Sequence, residues 1–337
     1  MKIAIPKETY PLEKRVMLTP TAVKELAKEG HHLFVQSGAA RDMGILDEEY
    51  QNAGAGIVTE PKELYDLAEM IIKVKAPSSS EFSLMHKDTI LFCMFHSEQN
   101  PVQIYYAGLQ GLVIVEMEKI HDSKNKRLID QTDITGEVGV YYTLRHLEKM
   151  PYDTKVMVMG YGQVASGAIK ACHKLGMKTK ILRKSEYKYI QQYLSDTDLL
   201  INGISWSADH RNNKKYLVTR EDVKQSNPRI IILDLSVDFP SPIETIRPTN
   251  YSQPYYIDEN RIHISIYGYP GLVPVTSTRL YSEQVLPLAQ IIANNSGLRG
   301  IKNRGDLGKV IYKAILNPNK YDWQKYKPEE PTGSRIE

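Results

Sequence analysis

Blocks of apolar residues separated by polar stretches run the length of the chain, and their spacing predicts most of its elements. KIAIP, at residues 2–6, is a short apolar run closed by a proline and reads as a buried strand. Thr19-Pro20 opens a helix, with Thr19 as its cap and Pro20 in the first turn, and Gly30 ends it. HHLFVQ, MIIKVKAP, TILFCMFH and GLVIVEM are four more apolar strands, and DEEYQNAG is a short helix stopped by Gly54. A helical stretch covers Thr135–Met150. The alternation then restarts with KVMVMG, a helix over Gln163–Leu175, KTKILR, DLLINGI, RIIILDLSV and HISIYGY. A long helix follows in TSTRLYSEQVLPLAQIIANN, capped by Thr276 or Ser277, with Pro287 predicting a kink or break. From Pro318 the chain turns polar and reads as a frayed tail.

Continuous apolar strands alternating with helices predict parallel sheets covered on both faces. The fold class is α/β: two doubly wound, Rossmann-like domains with a cleft between them, linked by two long helices. The expected division is discontinuous. Residues 1–134 with 283–337 form a substrate domain, and 135–282 form an inserted dinucleotide-binding domain.

Composition narrows the class. The 337 residues carry 43 Lys and Arg against 40 Asp and Glu, with 42% hydrophobic and 25% charged. These are ordinary globular values, which exclude a disordered chain or a disulfide-stapled module. No basic stripe marks a nucleic-acid footprint. Cys93 and Cys172 lie in apolar surroundings without metal or redox spacing, so no metal site is expected. Residues 1–6 lack a signal-peptide pattern, and no apolar run approaches the ~18 residues of a membrane span. The expectation is a cytoplasmic soluble protein.

The strongest local motif is Gly160-Tyr161-Gly162-Gln163-Val164-Ala165, a G-x-G-x-x-A between a predicted strand and helix. Gly160 permits the tight turn, Gly162 lets backbone approach a pyrophosphate, and Ala165 allows close helix–strand packing. Gln163 and Val164 open the helix whose N–H groups face the phosphates. The second strand ends at Arg183-Lys184, where an NAD-specific site carries a carboxylate for the ribose. Two cations there attract a 2′-phosphate, which predicts NADP(H) over NAD(H). The competing reading leaves both cations solvated and gives the ribose to Glu186.

Three polar residues fall at or just beyond strand ends in the first domain, where open sheets bind ligands. Arg15 follows the first strand, Lys75 ends MIIKVK and His96 ends TILFCMFH. An Arg fork and a Lys point charge suit a carboxylate, and a His beside them suits proton transfer. In RIIILDLSVDF, Asp234 sits in the apolar strand as a structural candidate, and Asp238 lies just past its end, facing the nicotinamide. The Gly/Pro loop Tyr267–Pro274 lines such clefts. The loops His121–Asp130 and Trp206–Lys215 are candidates for a second substrate pocket. Arg211, Lys214 and Lys215 in the latter suit a distal carboxylate or simply solvent.

In order along the chain stand IPKETYPLEKRVMLTP, MIIKVKAP, ILFCMFH, the glycine motif, LDLSVDF and VPVTST. Together they resemble the alanine dehydrogenase and transhydrogenase superfamily to about residue 300. The resemblance implies that Arg15 and Lys75 hold pyruvate, that His96 is the acid/base and that Asp238 completes the catalytic set. It also implies a homo-oligomer. The chain departs from alanine dehydrogenases in two places. Only Pro151–Thr154 separates a helix from the glycine-motif strand, and Arg183 stands where an acidic residue is usual. Both departures resemble the NADPH-dependent carboxyethyl-ornithine synthases, as does the INGI segment, which adds Asn202 and Gly203 to the expected cofactor-binding residues. Pro11–Arg15 also resembles lysine-forming saccharopine dehydrogenase.

The three relatives share one reaction with different amines: a 2-oxo acid and an amine form an imine, and a nicotinamide hydride reduces it. The resemblance implies, first, NADPH-dependent condensation of pyruvate with the side-chain amine of ornithine or lysine. The alternative is alanine dehydrogenase, which uses ammonia. A saccharopine-type enzyme and a non-catalytic dinucleotide sensor remain further readings.

Overall fold

The structure is a computed structural model that describes residues 1–317 and 322–328. Within it the chain forms two units, one of residues 1–130 with 274 onward and one of residues 131–273.

The first unit opens with β1 (Lys2–Ile5), α1 (Pro20–Lys28), β2 (His32–Gln36), α2 (Asp47–Asn52), β3 (Ala55–Val58) and α3 (Pro61–Leu67). It continues with β4 (Met70–Lys75), α4 (Ser79–Phe82), β5 (Ile90–Met94), α5 (Pro101–Gln110) and β6 (Val113–Glu116). The Thr19 hydroxyl accepts the Ala22 N–H and Pro20 occupies the first turn, so α1 starts where its sequence predicts. The strands pair in parallel in the order β3-β2-β1-β4-β5-β6. All six residues of β4 are buried, which is why the run shows no polar alternation. Sheet order reverses between β1 and β4, and this switch point positions the polar residues at the strand ends.

The second unit begins with α6 (Thr132–Thr143), then β7 (Lys155–Met159), α7 (Gln163–Lys174), β8 (Lys178–Leu182), α8 (Gln191–Leu194) and β9 (Leu199–Asn202). It ends with α9 (Ala208–Asn212), α10 (Arg220–Gln225), β10 (Ile231–Asp234), β11 (Tyr255–Asp258) and β12 (Arg261–Ile264). The order is β8-β7-β9-β10-β12-β11, parallel except for β11. The expected helix over Thr135–Met150 is corrected at both ends. It starts at Thr132, and after Thr143 a 3₁₀ turn replaces it. Met150 precedes Pro151 and is extended (ψ 146°), as the residue before a proline must be, so the helix cannot reach it. β11 forms a hairpin with β12 through Glu259-Asn260, both at positive φ (49° and 55°), the geometry of a tight two-residue turn.

The chain returns to the first unit with α11 (Pro274–Asn294), α12 (Gly305–Lys313) and β13 (Ile315–Leu316), which pairs antiparallel with β6. Neither Thr276 nor Ser277 caps α11, because Pro274 already occupies its first turn. Nor does Pro287 break it: the helix runs on to Asn294. The expected frayed tail lies partly outside the described residues, at 318–321 and 329–337. Among the described ones, Trp323 seats on α5, its ring centroid 5.5 Å from that of Tyr105 and its indole directly over Gly108. Cys93 and Cys172 are buried free thiols. Among the described residues no helix is long and apolar enough to cross a membrane.

Helices α6 and α7 meet backbone to backbone. A Cβ on Gly136 would lie 2.1 Å from the Val164 carbonyl oxygen, and one on Gly167 would lie 2.0 Å from that of Asp133. Gly136→Ala is expected to destabilise the second unit by about 3 kcal/mol or more, because backbone must move to admit the methyl. Urea unfolding followed through Trp206, with Trp323 replaced by Phe, measures this. A loss below about 1 kcal/mol would contradict the contact.

Candidate functional site

In the second unit the sheet reverses between β7 and β9, and the glycine motif leaves β7 at that point. Gly160 has φ +97°, and a Cβ there would lie 2.5 Å from Ile204 Cγ2. Gly162 is the extended cap residue of α7, and a Cβ on it would meet nothing within 4 Å. No side chain caps the first turn of α7, so Gln163 and Val164 open a helix whose leading N–H groups await an acceptor. A bare backbone loop, open space beside it and an uncapped 12-residue helix fit a dinucleotide pyrophosphate.

Behind the loop lies a buried polar cluster. Asn202 donates to the Asp234 carboxylate (2.7 Å) and to Ser236 Oγ (3.0 Å), and Ser265 also donates to Asp234 (2.9 Å). Burial pushes Asp234 up to about 6, against these donors. Asn202 is fully buried, so its part in a cofactor site is to hold the following turn rather than to touch a ligand. Gly203 sits in that turn, where a Cβ would lie 2.7 Å from Ala165 Cβ. At the end of β8, Arg183 and Lys184 are exposed, and the Glu186 carboxylate turns back to accept the Arg183 N–H (2.9 Å).

Asp238 follows β10. One carboxylate oxygen accepts the Trp206 N–H (2.7 Å) and the other accepts from Arg211 (3.1 Å). Arg211 also donates to the Trp206 carbonyl (2.7 Å). The loop Trp206–Lys215 is thereby tied to Asp238, and Arg211, expected as a distal carboxylate binder or a solvated group, is its partner.

In the first unit Arg15 and His96 lie beyond the carboxyl ends of β1 and β5, and Lys75 is the last residue of β4, around the switch point. Lys75 is within electrostatic reach of both Arg15 and His96. Burial and then Arg15 bring Lys75 down to about 8. Burial, then Lys75, Arg127 and Lys119, bring His96 down to about 4, so its imidazole is neutral at physiological pH. Arg127 comes from the loop that the isolated bridge His121–Arg127 closes.

Arg15 does not offer its whole fork. Glu13 accepts from its Nε (2.7 Å) and Nη2 (2.6 Å), and Ser277 Oγ accepts from Nη1 (3.2 Å). Burial raises Glu13, but the bonds and charge of Arg15, with Lys75, outweigh it and hold the carboxyl low. The Tyr10 ring lies 4.9 Å from the Lys75 ammonium and the Tyr281 ring 5.6 Å from the Arg15 guanidinium.

His96 has φ +51°, a region that costs a side chain about 1–2 kcal/mol. Two buried carboxylates at the end of β6 hold it there. Glu118 accepts the N–H groups of Phe95 (3.1 Å) and His96 (2.5 Å), and Glu116 accepts that of Ser97 (3.2 Å). Burial, with Glu116 adding to it, pushes Glu118 up to about 7. Sequence reasoning missed Glu13, Glu116 and Glu118. The signal was present: PLEKR places a carboxylate two residues before Arg15, and VIVEMEK ends an apolar strand with two glutamates.

The chain was compared with known proteins. Residues 4–132 match the family described as alanine dehydrogenase/PNT, N-terminal domain, and residues 182–313 match its C-terminal domain. An alanine dehydrogenase of Methanococcus maripaludis is 30% identical, covering 94% of this chain and 95% of its own. One from Bacillus subtilis is 28% identical, covering 96% of each. A solved L-alanine dehydrogenase superposes with a TM-score of 0.83 at 25% identity, over 97% of this chain and 99% of its own. A transhydrogenase from Sinorhizobium meliloti shares the fold, with a TM-score of 0.75 at 20% identity over 86% of this chain and 93% of its own. These names favour the ammonia-using alternative over condensation with a basic amino acid.

Lys75 sets a pH dependence. It faces Arg15, Glu13 and Glu8, and with its proton leaving at about 8 it is charged below that and neutral above. Affinity for oxalate or pyruvate, measured by calorimetry, is expected to be level below pH 7 and to fall through pH 8–9. Lys75→Arg should remove the fall, because its guanidinium keeps its charge. A wild-type profile flat to pH 10 would contradict this.

Proposed function

Taking as premise that the chain belongs to the alanine dehydrogenase/PNT family and is an NAD(P)-dependent oxidoreductase of it, we propose that it catalyses the reversible reductive amination of pyruvate with ammonia. The observation that carries this reading is the grouping of Arg15, Lys75 and His96 at one switch point.

Each residue has a derived task. Arg15, fixed by Glu13, supplies the positive charge that attracts the carboxylate of pyruvate. The Lys75 ammonium donates to the keto oxygen, draws electron density from the carbonyl carbon and, as ammonia adds, gives the oxygen the proton that makes it the carbinolamine hydroxyl, to be replaced from solvent. His96 starts neutral, so it first accepts the proton released as ammonia adds. As imidazolium it then protonates the carbinolamine hydroxyl, which leaves as water and gives the cationic imine. When bound, a reduced nicotinamide would supply the hydride for reduction of this imine to alanine. Asp238 is proposed as a further member of the catalytic set, its carboxylate oriented by Arg211 and the Trp206 N–H.

NADP(H) is the proposed cofactor. Arg183 and Lys184 would receive the 2′-phosphate, and Glu186 supports this because its carboxylate already accepts the Arg183 N–H. A second reading, condensation of pyruvate with ornithine or lysine, is favoured by Arg127. Its charge reaches His96, where the carboxylate of a larger amine substrate would need a partner.

NADPH oxidation with pyruvate plus ammonia, against pyruvate plus ornithine or lysine, decides between them. Turnover with ammonia is expected, and turnover with the diamines alone would reverse the order. His96→Ala should lose about 100-fold or more in kcat while keeping its NADPH affinity. Undiminished turnover would remove His96 from the mechanism. Arg183→Ala should raise the KM for NADPH roughly tenfold and leave those for NADH and pyruvate unchanged. An equal loss for both cofactors would contradict the phosphate assignment.

A further inference from the structure

Lys73 and Lys75 stand two apart on β4, and strict strand alternation would put both on one face. They are not used alike. Lys73 is almost completely buried and pairs with Glu81, which also accepts from Tyr65 (2.7 Å) and the Ser78 N–H (2.8 Å). Lys75 faces Arg15 and Tyr10.

The sheet register separates them. Ile72 pairs with Phe92, but Lys75 pairs with Met94, so three residue steps on β4 oppose two on β5. This is a bulge, and it carries Lys75 to the face of Met94, Val74 and Ile72, which pack with Tyr281 and Val16 beside Arg15. Lys73 stays on the face of Tyr65, Phe82 and Cys93.

A bulge leaves backbone groups outside the ladder, and buried N–H groups need acceptors. Glu8, from the loop after β1, supplies one carboxylate to two of them: Val74 N–H at 2.6 Å and Lys75 N–H at 3.3 Å. Its second oxygen lies 3.8 Å from the Lys73 ammonium. Burial raises Glu8 against the pull of Lys73, while Glu8 and Glu81 outweigh the burial of Lys73 and raise it.

We infer that Glu8 is a positioning residue for Lys75: by accepting both N–H groups of the bulge it fixes the crossing that aims the Lys75 ammonium at the substrate carbonyl. This deepens the proposed function and rests on it for the identity of that substrate. Glu8→Ala removes the clamp, and Glu8→Gln keeps one acceptor oxygen without the charge. Glu8→Ala is expected to lower kcat/KM for pyruvate roughly tenfold, with kcat sharing in the loss because a displaced ammonium no longer polarises the carbonyl, and Glu8→Gln to fall between it and wild type. Independently of turnover, the Lys75 signal in protein labelled with ¹³Cε-lysine, assigned through Lys75→Arg, should titrate near 8 in wild type and lower in Glu8→Gln, where a neighbouring negative charge is gone. Folded variants with wild-type kcat/KM for pyruvate and an unmoved Lys75 titration would overturn the inference, whatever their melting temperature. If Glu8→Ala does not fold, Glu8→Gln alone decides. If wild type turns over pyruvate with no amine, the functional reading falls, and the Lys75 titration still decides the positioning role.

Discussion

A positive charge taken into the dry end of a sheet must be matched by a negative one, and the first unit is organised by that requirement. Arg15 is gripped by Glu13, and Lys73 by Glu81 with Glu8 close by. Removing one member of such a buried pair leaves an uncompensated charge at a cost of about 3–5 kcal/mol. The matching is also uneven in a way that serves chemistry. Arg15 has its Nε–Nη2 edge filled by Glu13 and stays fixed, whereas Lys75 is loosened by burial and by Arg15 itself. His96, buried and facing Lys75, Arg127 and Lys119, is held toward its neutral form although the Glu118 carboxylate lies 3.9 Å from its Nδ1. A rigid anion clamp, a labile ammonium and a neutral imidazole thus come from one arrangement of charges.

The second unit solves a related problem without cations. Asp234 is fully buried and is met by an amide and two hydroxyls, from Asn202, Ser236 and Ser265. Tyr269 adds a bond to the Asp234 carbonyl (2.7 Å). These neutral donors stitch β9, β10 and β12 together behind the glycine loop, where Gly160 and Gly203 each approach a neighbour too closely for a side chain. The precision of the loop depends on the cluster beneath it, just as the aim of Lys75 depends on Glu8.

Much of this was legible in the chain. The apolar runs that became β4, β5, β7 and β10 needed no partner to be recognised, because strands buried on both faces show continuous apolar sequence. The positions of Arg15, Lys75 and His96 followed from strand ends alone. What could not be read was contributed by distant residues. Helix α11 starts at Pro274 and passes through Pro287, against the cap expected from Thr276 or Ser277, and Ser277 is instead a partner of Arg15 from 262 residues away. The bulge in β4 leaves no mark in MIIKVK, since it exists only relative to β5. Glu8, Glu13 and Glu118 looked like ordinary loop or strand-end carboxylates until the N–H groups and guanidinium that they meet were in place.

The inserted order of the chain also has a bearing on how the molecule is made. The second unit is contiguous, residues 131–273, whereas the first lacks α11, α12 and β13 until nearly the whole chain has been synthesised. During vectorial synthesis the dinucleotide half can close on itself while the other half still has the β6 edge unpaired and Arg15 without Ser277. The half begun first is therefore the half finished last, and its exposed sheet edge is the part of the nascent chain in greatest need of protection.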